Sequence, residues 1–199
     1  MLFSTVIRAF IPMVITVLLT SCGDYFEDED DEYENITKQG WHMQGRDCLA
    51  CHNIDLGTEK HLTIGGTVFK SPNITDPDDL DNVCGGNIYV RFVEPFTGET
   101  ISSKDYIDPD SKGYLGKGNI FILSRLLSSL QGEFIVQIID DKNNVLATSG
   151  IHSFSNQYII ENPTDPDNRY SCNACHSIEP KGGASGVIYV DTGAVNLCE

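Results

Sequence analysis

The sequence predicts a mainly β protein in which a β-sandwich domain is flanked by two short cysteine-containing segments. Short runs of β-branched and aromatic residues recur between positions 64 and 147. Glycine pairs and acidic turn sequences separate these runs, and spacing of this kind is typical of a sandwich. The same stretch has no long amphipathic helical pattern, which argues against an all-helical domain.

Five of these runs are predicted to be strands, and the sequences between them are predicted to be turns. The predicted strands are 67–69, 88–93, 120–123, 134–139 and 145–146. Breaks are predicted at 65–66, 85–86, 116–118 and 140–144, and at the Asp-Pro-Asp sequences 76–78, 108–110 and 165–167. The Asp-Pro-Asp sequences cluster oxygen ligands, but none has the full spacing of a calcium loop with its terminal glutamate. Residues 124–130 are compatible with a helical turn.

The first 21 residues resemble a bacterial lipoprotein signal peptide. An apolar run at 9–19 follows Arg8, and the Leu-Thr-Ser-Cys sequence at 19–22 resembles a lipobox, in which small residues precede a cysteine that is acylated. The mature chain is therefore expected to begin at a lipid-modified Cys22. An uncleaved membrane anchor is the alternative, and it is disfavoured because the apolar run is short for a membrane span.

Residues 22–40 are predicted to form an acidic flexible tether, followed by the folded domain at 41–199. Eight acidic side chains lie between Asp24 and Glu34, and such a block of like charge stays extended. Acidic stretches directly after a lipid-modified cysteine resemble the surface-export signals of some Gram-negative lipoproteins. We therefore expect an exported outer-membrane lipoprotein on the periplasmic or the cell-surface face, in contact with the membrane only through its lipid.

The net charge argues against binding to anionic partners. The chain has 13 Lys and Arg residues against 29 Asp and Glu residues, which gives a formal net charge of −16. This balance disfavours binding to nucleic acid and to anionic membrane surfaces. An acidic surface suits transient docking on basic partner proteins, although it also serves solubility alone.

Two copies of the sequence Cys-x-x-Cys-His, the attachment signature of c-type haem, occur near the two ends of the folded domain. The first copy contains Cys48, Cys51 and His52, and the second contains Cys172, Cys175 and His176. Two thiols separated by one short turn can add across the two vinyl groups of one haem, and the following histidine then reaches the iron. The sequence therefore predicts two covalently bound haem c groups with His52 and His176 as proximal ligands.

Two other kinds of site also use paired cysteines. Four cysteines in two pairs are a common zinc ligand set, and one Cys-x-x-Cys pair is typical of thiol-disulfide oxidoreductases. Zinc does not require a histidine directly after each pair, and the redox motif accompanies a βαβ pattern that this sequence lacks. Because haem c is attached outside the cytoplasm, the predicted export signal also favours haem.

The sequence offers three further histidines and a methionine as distal iron ligands. We expect bis-histidine ligation, with His61 on the first haem and His152 on the second. His61 lies just before a strand predicted to begin near Ile64, and His152 lies between the last predicted strand and the second motif, where a loop could fold it onto the iron. His42 and Met43 compete for these positions, the two assignments could be exchanged, and methionine ligation would raise one reduction potential.

The two remaining cysteines, Cys84 and Cys198, are predicted to form a disulfide. If Cys22 carries lipid and the four motif cysteines carry haem, this pairing leaves no free thiol among the seven cysteines, as suits an oxidising compartment. One or two free thiols, or an intermolecular pair, are the alternatives.

The order of these features resembles that of a group of uncharacterised dihaem lipoproteins. It runs from the lipobox through Gly-Arg-Asp-Cys-Leu-Ala-Cys-His at 45–52 and His-Leu-Thr-Ile-Gly-Gly-Thr-Val-Phe at 61–69 to a β-rich middle and the late Cys-Asn-Ala-Cys-His. In that group a sandwich similar to the carboxypeptidase regulatory-like or transthyretin-like domain lies between two haem sites. The resemblance covers most of the mature chain, but only the lipobox and the haem motifs are specific.

The expected function is electron transfer between redox proteins, such as cytochromes or oxidoreductase complexes, without a substrate reaction of the protein's own. Bis-histidine ligation fills both axial positions of an iron, whereas a dihaem peroxidase needs one open position for its substrate. A structural role, as a subunit of a multihaem assembly or filament, is the other alternative.

Overall fold

The computed structural model of the chain describes residues 43–85, 87–107, 118–155, 170–190 and 198. Within these residues the protein is mainly β, with two sheets and two short α-helices. No helix in this part of the chain is long and apolar enough to cross a membrane. The predicted signal peptide and tether, Cys22, His42 and the Asp-Pro-Asp sequences 108–110 and 165–167 lie outside the described residues.

The helices and strands follow one another in chain order. The α-helices are α1 (Cys48–His52) and α2 (Cys172–Cys175), and 3-10 helices span Thr58–Lys60, Leu80–Asn82 and Ser103–Tyr106. The strands are β1 (Leu62–Phe69), β2 (Ile88–Val93), β3 (Thr100–Ser102), β4 (Asn119–Leu123), β5 (Gly132–Asp140), β6 (Val145–Phe154) and β7 (Ile188–Tyr189). Each of the five predicted strands lies within one of these. Residues 124–126 and 77–78 form turns.

The strands form a three-stranded and a four-stranded sheet. In the first, β1 lies between β4, to which it runs antiparallel, and β7, to which it runs parallel. The second has the order β3-β2-β5-β6, with antiparallel neighbours throughout. Along β2, buried residues alternate with half-buried ones, as expected for a strand with one face on the core.

One hydrophobic core joins the two sheets. It combines apolar side chains of β1 and β4 with those of β2 and β5. A chain of edge-to-face aromatic contacts, with ring centroids 5.6 to 6.1 Å apart, runs through Phe92, Phe134, Phe154 and Tyr170. Such pairs add to the stabilisation that comes from apolar burial. Two sheets that share one core are consistent with a β-sandwich.

Tyr170 fixes the start of the second cysteine motif against β1. Its buried hydroxyl donates to the carbonyl of Leu130 at 2.7 Å, and its own carbonyl accepts a hydrogen bond from the N–H of Gly65 at 3.1 Å. Burial raises the pKa of Tyr170 to about 12, so the hydroxyl remains a donor at neutral pH. Ser171, the next residue, forms a parallel bridge with Gly65. The second motif therefore enters beside the strand that follows the first motif.

Cys84 and Cys198 form a disulfide, which is the pairing expected from the sequence. Their Cα atoms are 4.2 Å apart, and both residues are buried. The N–H of Cys84 donates to the carbonyl of Val68 at 3.0 Å, and the N–H of Gly85 donates to the carbonyl of Cys198 at 3.3 Å. Residue 198 is thereby held next to β1, 114 positions away from its bonding partner along the chain.

Candidate functional site

Each Cys-x-x-Cys-His motif forms a short helix, and the two helices start next to each other. Asp47 is the N-cap of α1, where its carboxylate accepts a hydrogen bond from the N–H of Ala50 at 3.2 Å. Ser171 occupies the corresponding position of α2. The hydroxyl of Ser171 donates to the Asp47 carboxylate although the two residues are 124 positions apart. Residues with a preference for N-caps therefore also join the two motifs.

Both motifs pack against two adjacent glycines in the middle of β1. A Cβ atom built on Gly65 would lie 2.8 Å from the Cβ of Cys48, and one built on Gly66 would lie 2.6 Å from the Cβ of Cys172. Consecutive residues of a strand point to opposite faces, so the two motifs approach β1 from its two sides. This arrangement accounts for the burial of all eight residues of β1.

The expectation of a chain break at Gly65 and Gly66 is therefore wrong. The two residues lie inside β1, which spans Leu62–Phe69 without interruption. Glycine occurs there because a neighbouring backbone element comes too close for any side chain, which is a recognised use of glycine within strands.

A Gly66→Ala variant is expected to be less stable than the wild-type protein by about 1 to 3 kcal/mol, because the added methyl group overpacks the contact with Cys172. Denaturant unfolding of the oxidised protein measures this difference. The matched control is Gly150→Ala in β6, where an added Cβ would meet no atom within 4 Å. Equal stabilities of the two variants would show that the contact at Gly66 is not tight.

Asn173, the residue after Cys172, connects the second motif to the first. Its side chain is 4% exposed. The amide oxygen accepts from the N–H of Thr67 at 3.0 Å, and the amide nitrogen donates to the Thr67 hydroxyl at 3.1 Å and to the carbonyl of Arg46 at 2.7 Å. The same nitrogen lies 3.9 Å from the sulfur of Cys48. The Asn173 side chain, which belongs to the second motif, thus contacts both β1 and the first motif.

The two motif histidines share one tautomer. The Nδ1 atom of His52 lies 2.8 Å from the carbonyl oxygen of Lys60, and the Nδ1 atom of His176 lies 2.9 Å from that of Gly186. A carbonyl oxygen can only accept, so Nδ1 carries the proton in both rings and Nε2 keeps its lone pair. Burial lowers the pKa of His52, which favours this neutral form of the ring. Both rings therefore have a metal-binding nitrogen at Nε2.

His152, the expected distal ligand of the second haem, lies beside His176. It is half-buried on β6, and its Nδ1 atom lies 3.1 Å from the carbonyl oxygen of Gly150 and 3.2 Å from the hydroxyl oxygen of Ser149. The ring centroids of His152 and His176 are 6.3 Å apart, and the ring planes differ by 29°. The structure therefore brings together the two histidines that the sequence analysis assigns to the second haem.

His61, the expected distal ligand of the first haem, lies near His52 but in the other tautomer. Its Nε2 atom lies 3.3 Å from the carbonyl oxygen of Leu56, so Nε2 carries the proton. Ligation through Nε2 would require this hydrogen bond to break. The competing residue Met43 is 47% exposed, and His42 lies outside the described residues.

The motif cysteines differ in their bonding. Cys48, Cys172 and Cys175 are not in disulfides, and Cys175 is buried. Burial raises the pKa of Cys48 and of Cys172 to about 12, so both are protonated at neutral pH. Cys51 is disulfide-bonded, so a thioether at Cys51 would require that this bond be reduced.

Within the part of the chain that the structure describes, no group of three or more His, Cys, Asp and Glu side chains converges to hold a metal ion. A haem iron takes its equatorial ligands from the porphyrin, so it needs only one or two ligands from the protein. Comparison with known proteins gives no match: no family model, no curated protein and no solved structure matches the chain.

Sequence reasoning identifies the motif residues but not the groups that position them. Asp47, Ser171 and Asn173 are missed, as are the carbonyl groups of Lys60 and Gly186 that fix the histidine tautomers. Asp and Ser directly before the two motifs are N-cap signals, and these could have been found. A backbone carbonyl carries no sequence signal at all.

Proposed function

We propose that the protein is a dihaem c-type cytochrome that transfers electrons and has no substrate reaction of its own. The observation that carries this proposal is the shared tautomer of His52 and His176, each with Nδ1–H donating to a backbone carbonyl. A second hydrogen bond of this kind orients a ligating histidine and raises the basicity of its other nitrogen. Two motifs far apart in the chain have the same arrangement, as two proximal ligands require.

Each haem would be held by one motif and one distal histidine. The first would be bound by Cys48, Cys51, His52 and His61, and the second by Cys172, Cys175, His176 and His152. When bound, each haem supplies an iron that takes up and releases one electron. Histidines on both sides of an iron leave no position for a substrate, which favours electron transfer over peroxidase chemistry. The partners would be other redox proteins.

The protonation of the motif thiols supports haem attachment over thiol-disulfide exchange. Reactive cysteines of redox enzymes have a lowered pKa, because the thiolate is the nucleophile. Burial instead raises the pKa of Cys48 and Cys172 to about 12. Protonated thiols at these two positions are poor nucleophiles for disulfide exchange, whereas they are compatible with thioethers formed before the chain folds.

At the level of the fold, we propose that the two sheets form a β-sandwich within one domain, 41–199, and that the two haem segments flank it in sequence. The shared core between the sheets supports this arrangement. Both haem segments would be attached to β1, the strand that follows the first motif.

The function is tested on the full chain, produced in a bacterial host that attaches haem c during export. Denaturing electrophoresis with haem staining and the alkaline pyridine spectrum should give two covalent haems per chain, reducible by dithionite and reoxidised by a ferric cytochrome. Paired Cys→Ala changes in the first or the second motif should each leave one haem. A chain that carries zinc and no haem, or one that turns over peroxide at an enzymatic rate, would contradict the proposal.

We further propose that the protein is exported and anchored by lipid at Cys22. The N-terminal peptide of the membrane-bound protein, analysed by mass spectrometry, is expected to begin with an acylated cysteine, and Cys22→Ser should release the chain from the membrane fraction. The motivating feature is the Leu-Thr-Ser-Cys sequence at 19–22. A mature chain that still begins at Met1, or that begins at another residue without lipid, would contradict this expectation.

A further inference from the structure

We infer that the two haems form one electronically coupled pair and that Asn173 is the positioning residue that holds their attachment points together. This inference rests on the proposed function, since it concerns the arrangement of the two haems that the motifs would bind. It goes beyond that function because two haems in one chain can also act as independent centres.

The attachment points of the two haems would lie on adjacent residues of β1. The first cysteine of each motif lies against one of two consecutive residues of β1, with Cys48 at Gly65 and Cys172 at Gly66. A thioether joins the cysteine sulfur directly to the edge of the haem macrocycle. Haems bound at these two cysteines would therefore be attached at neighbouring points of one strand.

The hydrogen bonds of Asn173 would keep the spacing of the two attachment points constant. Asn173 is 4% exposed and makes hydrogen bonds to the backbone and the hydroxyl of Thr67 and to the carbonyl of Arg46. It also lies 3.9 Å from the Cys48 sulfur. The bond from Ser171 to Asp47 joins the starts of the same two helices. A buried side chain bonded to three groups cannot move independently of them, so the motifs would move as one unit.

Two haems attached close together would influence each other electronically. A change of charge on one iron acts on the other through a low-dielectric interior, where charges interact far more strongly than in water. The potentials of the two haems would therefore depend on each other's oxidation state. The strong Soret transitions of two adjacent haems would also couple, which gives a bisignate signal in circular dichroism.

The test compares the wild-type holoprotein with Asn173→Leu, which keeps a similar volume but loses every hydrogen bond of the amide. The wild-type protein should show a bisignate Soret signal and two separated potentials. Asn173→Leu should keep two covalent haems and lose most of the bisignate signal. Asn173→Asp, which keeps the acceptor for the N–H of Thr67, serves as the second variant if the leucine variant does not fold, and a smaller loss is expected for it.

The matched control is Asn53→Leu. Asn53 also binds the backbone of β1, with its amide nitrogen donating to the carbonyl of Leu62 at 2.9 Å and its oxygen accepting from the N–H of Leu62 at 2.8 Å. It makes no hydrogen bond to the second motif among the described residues, so its variant should keep the bisignate signal.

Three results overturn the inference. Two haems without a bisignate signal in the wild-type protein would overturn the coupling alone, and equal signals in the wild-type protein and both Asn173 variants would overturn the role of Asn173. A chain without covalent haem would overturn the proposed function and this inference together. Haem content therefore distinguishes a failure of the proposed function from a failure of this inference alone.

Discussion

A His152→Ala variant is expected to contain one high-spin and one low-spin ferric haem, whereas the wild-type protein is expected to contain two low-spin haems. The His152 ring lies beside that of His176, with ring centroids 6.3 Å apart, and both residues are proposed ligands of the second iron. Without the His152 side chain, the second iron would lose one axial ligand and keep only His176. The low-spin electron paramagnetic resonance signal should fall by half.

The matched comparison is a His61→Ala variant, which should change the first haem and not the second. Because His61 is hydrogen-bonded through Nε2 to Leu56, its ligation depends on a local rearrangement. Exogenous imidazole should restore the low-spin signal of each variant. If both variants stay fully low-spin while a His42→Ala variant becomes partly high-spin, the assignment of distal ligands is wrong.

Removal of the disulfide is expected to lower the free energy of unfolding by about 5 kcal/mol, the second large effect. In the loop-entropy model, a bond that spans 114 residues strongly restricts the unfolded chain. Replacing both Cys84 and Cys198 with alanine removes the bond without leaving a thiol. Denaturant unfolding of the two oxidised proteins gives the difference in stability.

The single variants Cys84→Ala and Cys198→Ala are the controls for this measurement. Each breaks the same bond and should reproduce most of the loss. A loss below about 1 kcal/mol would mean that the bond closes a loop already restricted in the unfolded state. If Cys84 and Cys198 react with a thiol reagent in the denatured, unreduced wild-type protein, the bond does not form.

The strands that sequence reasoning finds are those with a strong local pattern. The run at 88–93 is rich in β-branched and aromatic residues, and β2 has the same limits. β7 is missed because it has only two residues, and its pairing with Val68 and Phe69 depends on a strand more than a hundred positions away. A break within β1 is wrongly predicted because the glycine pair is a turn signal in sequence and a packing feature in the structure.

Some features of the candidate site can likewise be predicted from the sequence, and others cannot. The cysteine and histidine spacing is a local property, so both motifs are found directly in the sequence. The hydrogen bond from Ser171 to Asp47 and those of Asn173 join residues more than 100 positions apart, and no pattern in a single sequence specifies such pairs. The separation of His152 and His176 follows from the pairing of β5 with β6 and from the position of α2, which are tertiary features.

The burial of Cys175 imposes an order on the biogenesis of the proposed holoprotein. Cys175 is 4% exposed once α2 rests on β1, so the attachment machinery can reach its sulfur only while this part of the chain is still unfolded. In the proposed holoprotein, haem attachment at Cys175 would therefore have to precede the packing of α2 against β1, and a chain that folded first would lack its second haem.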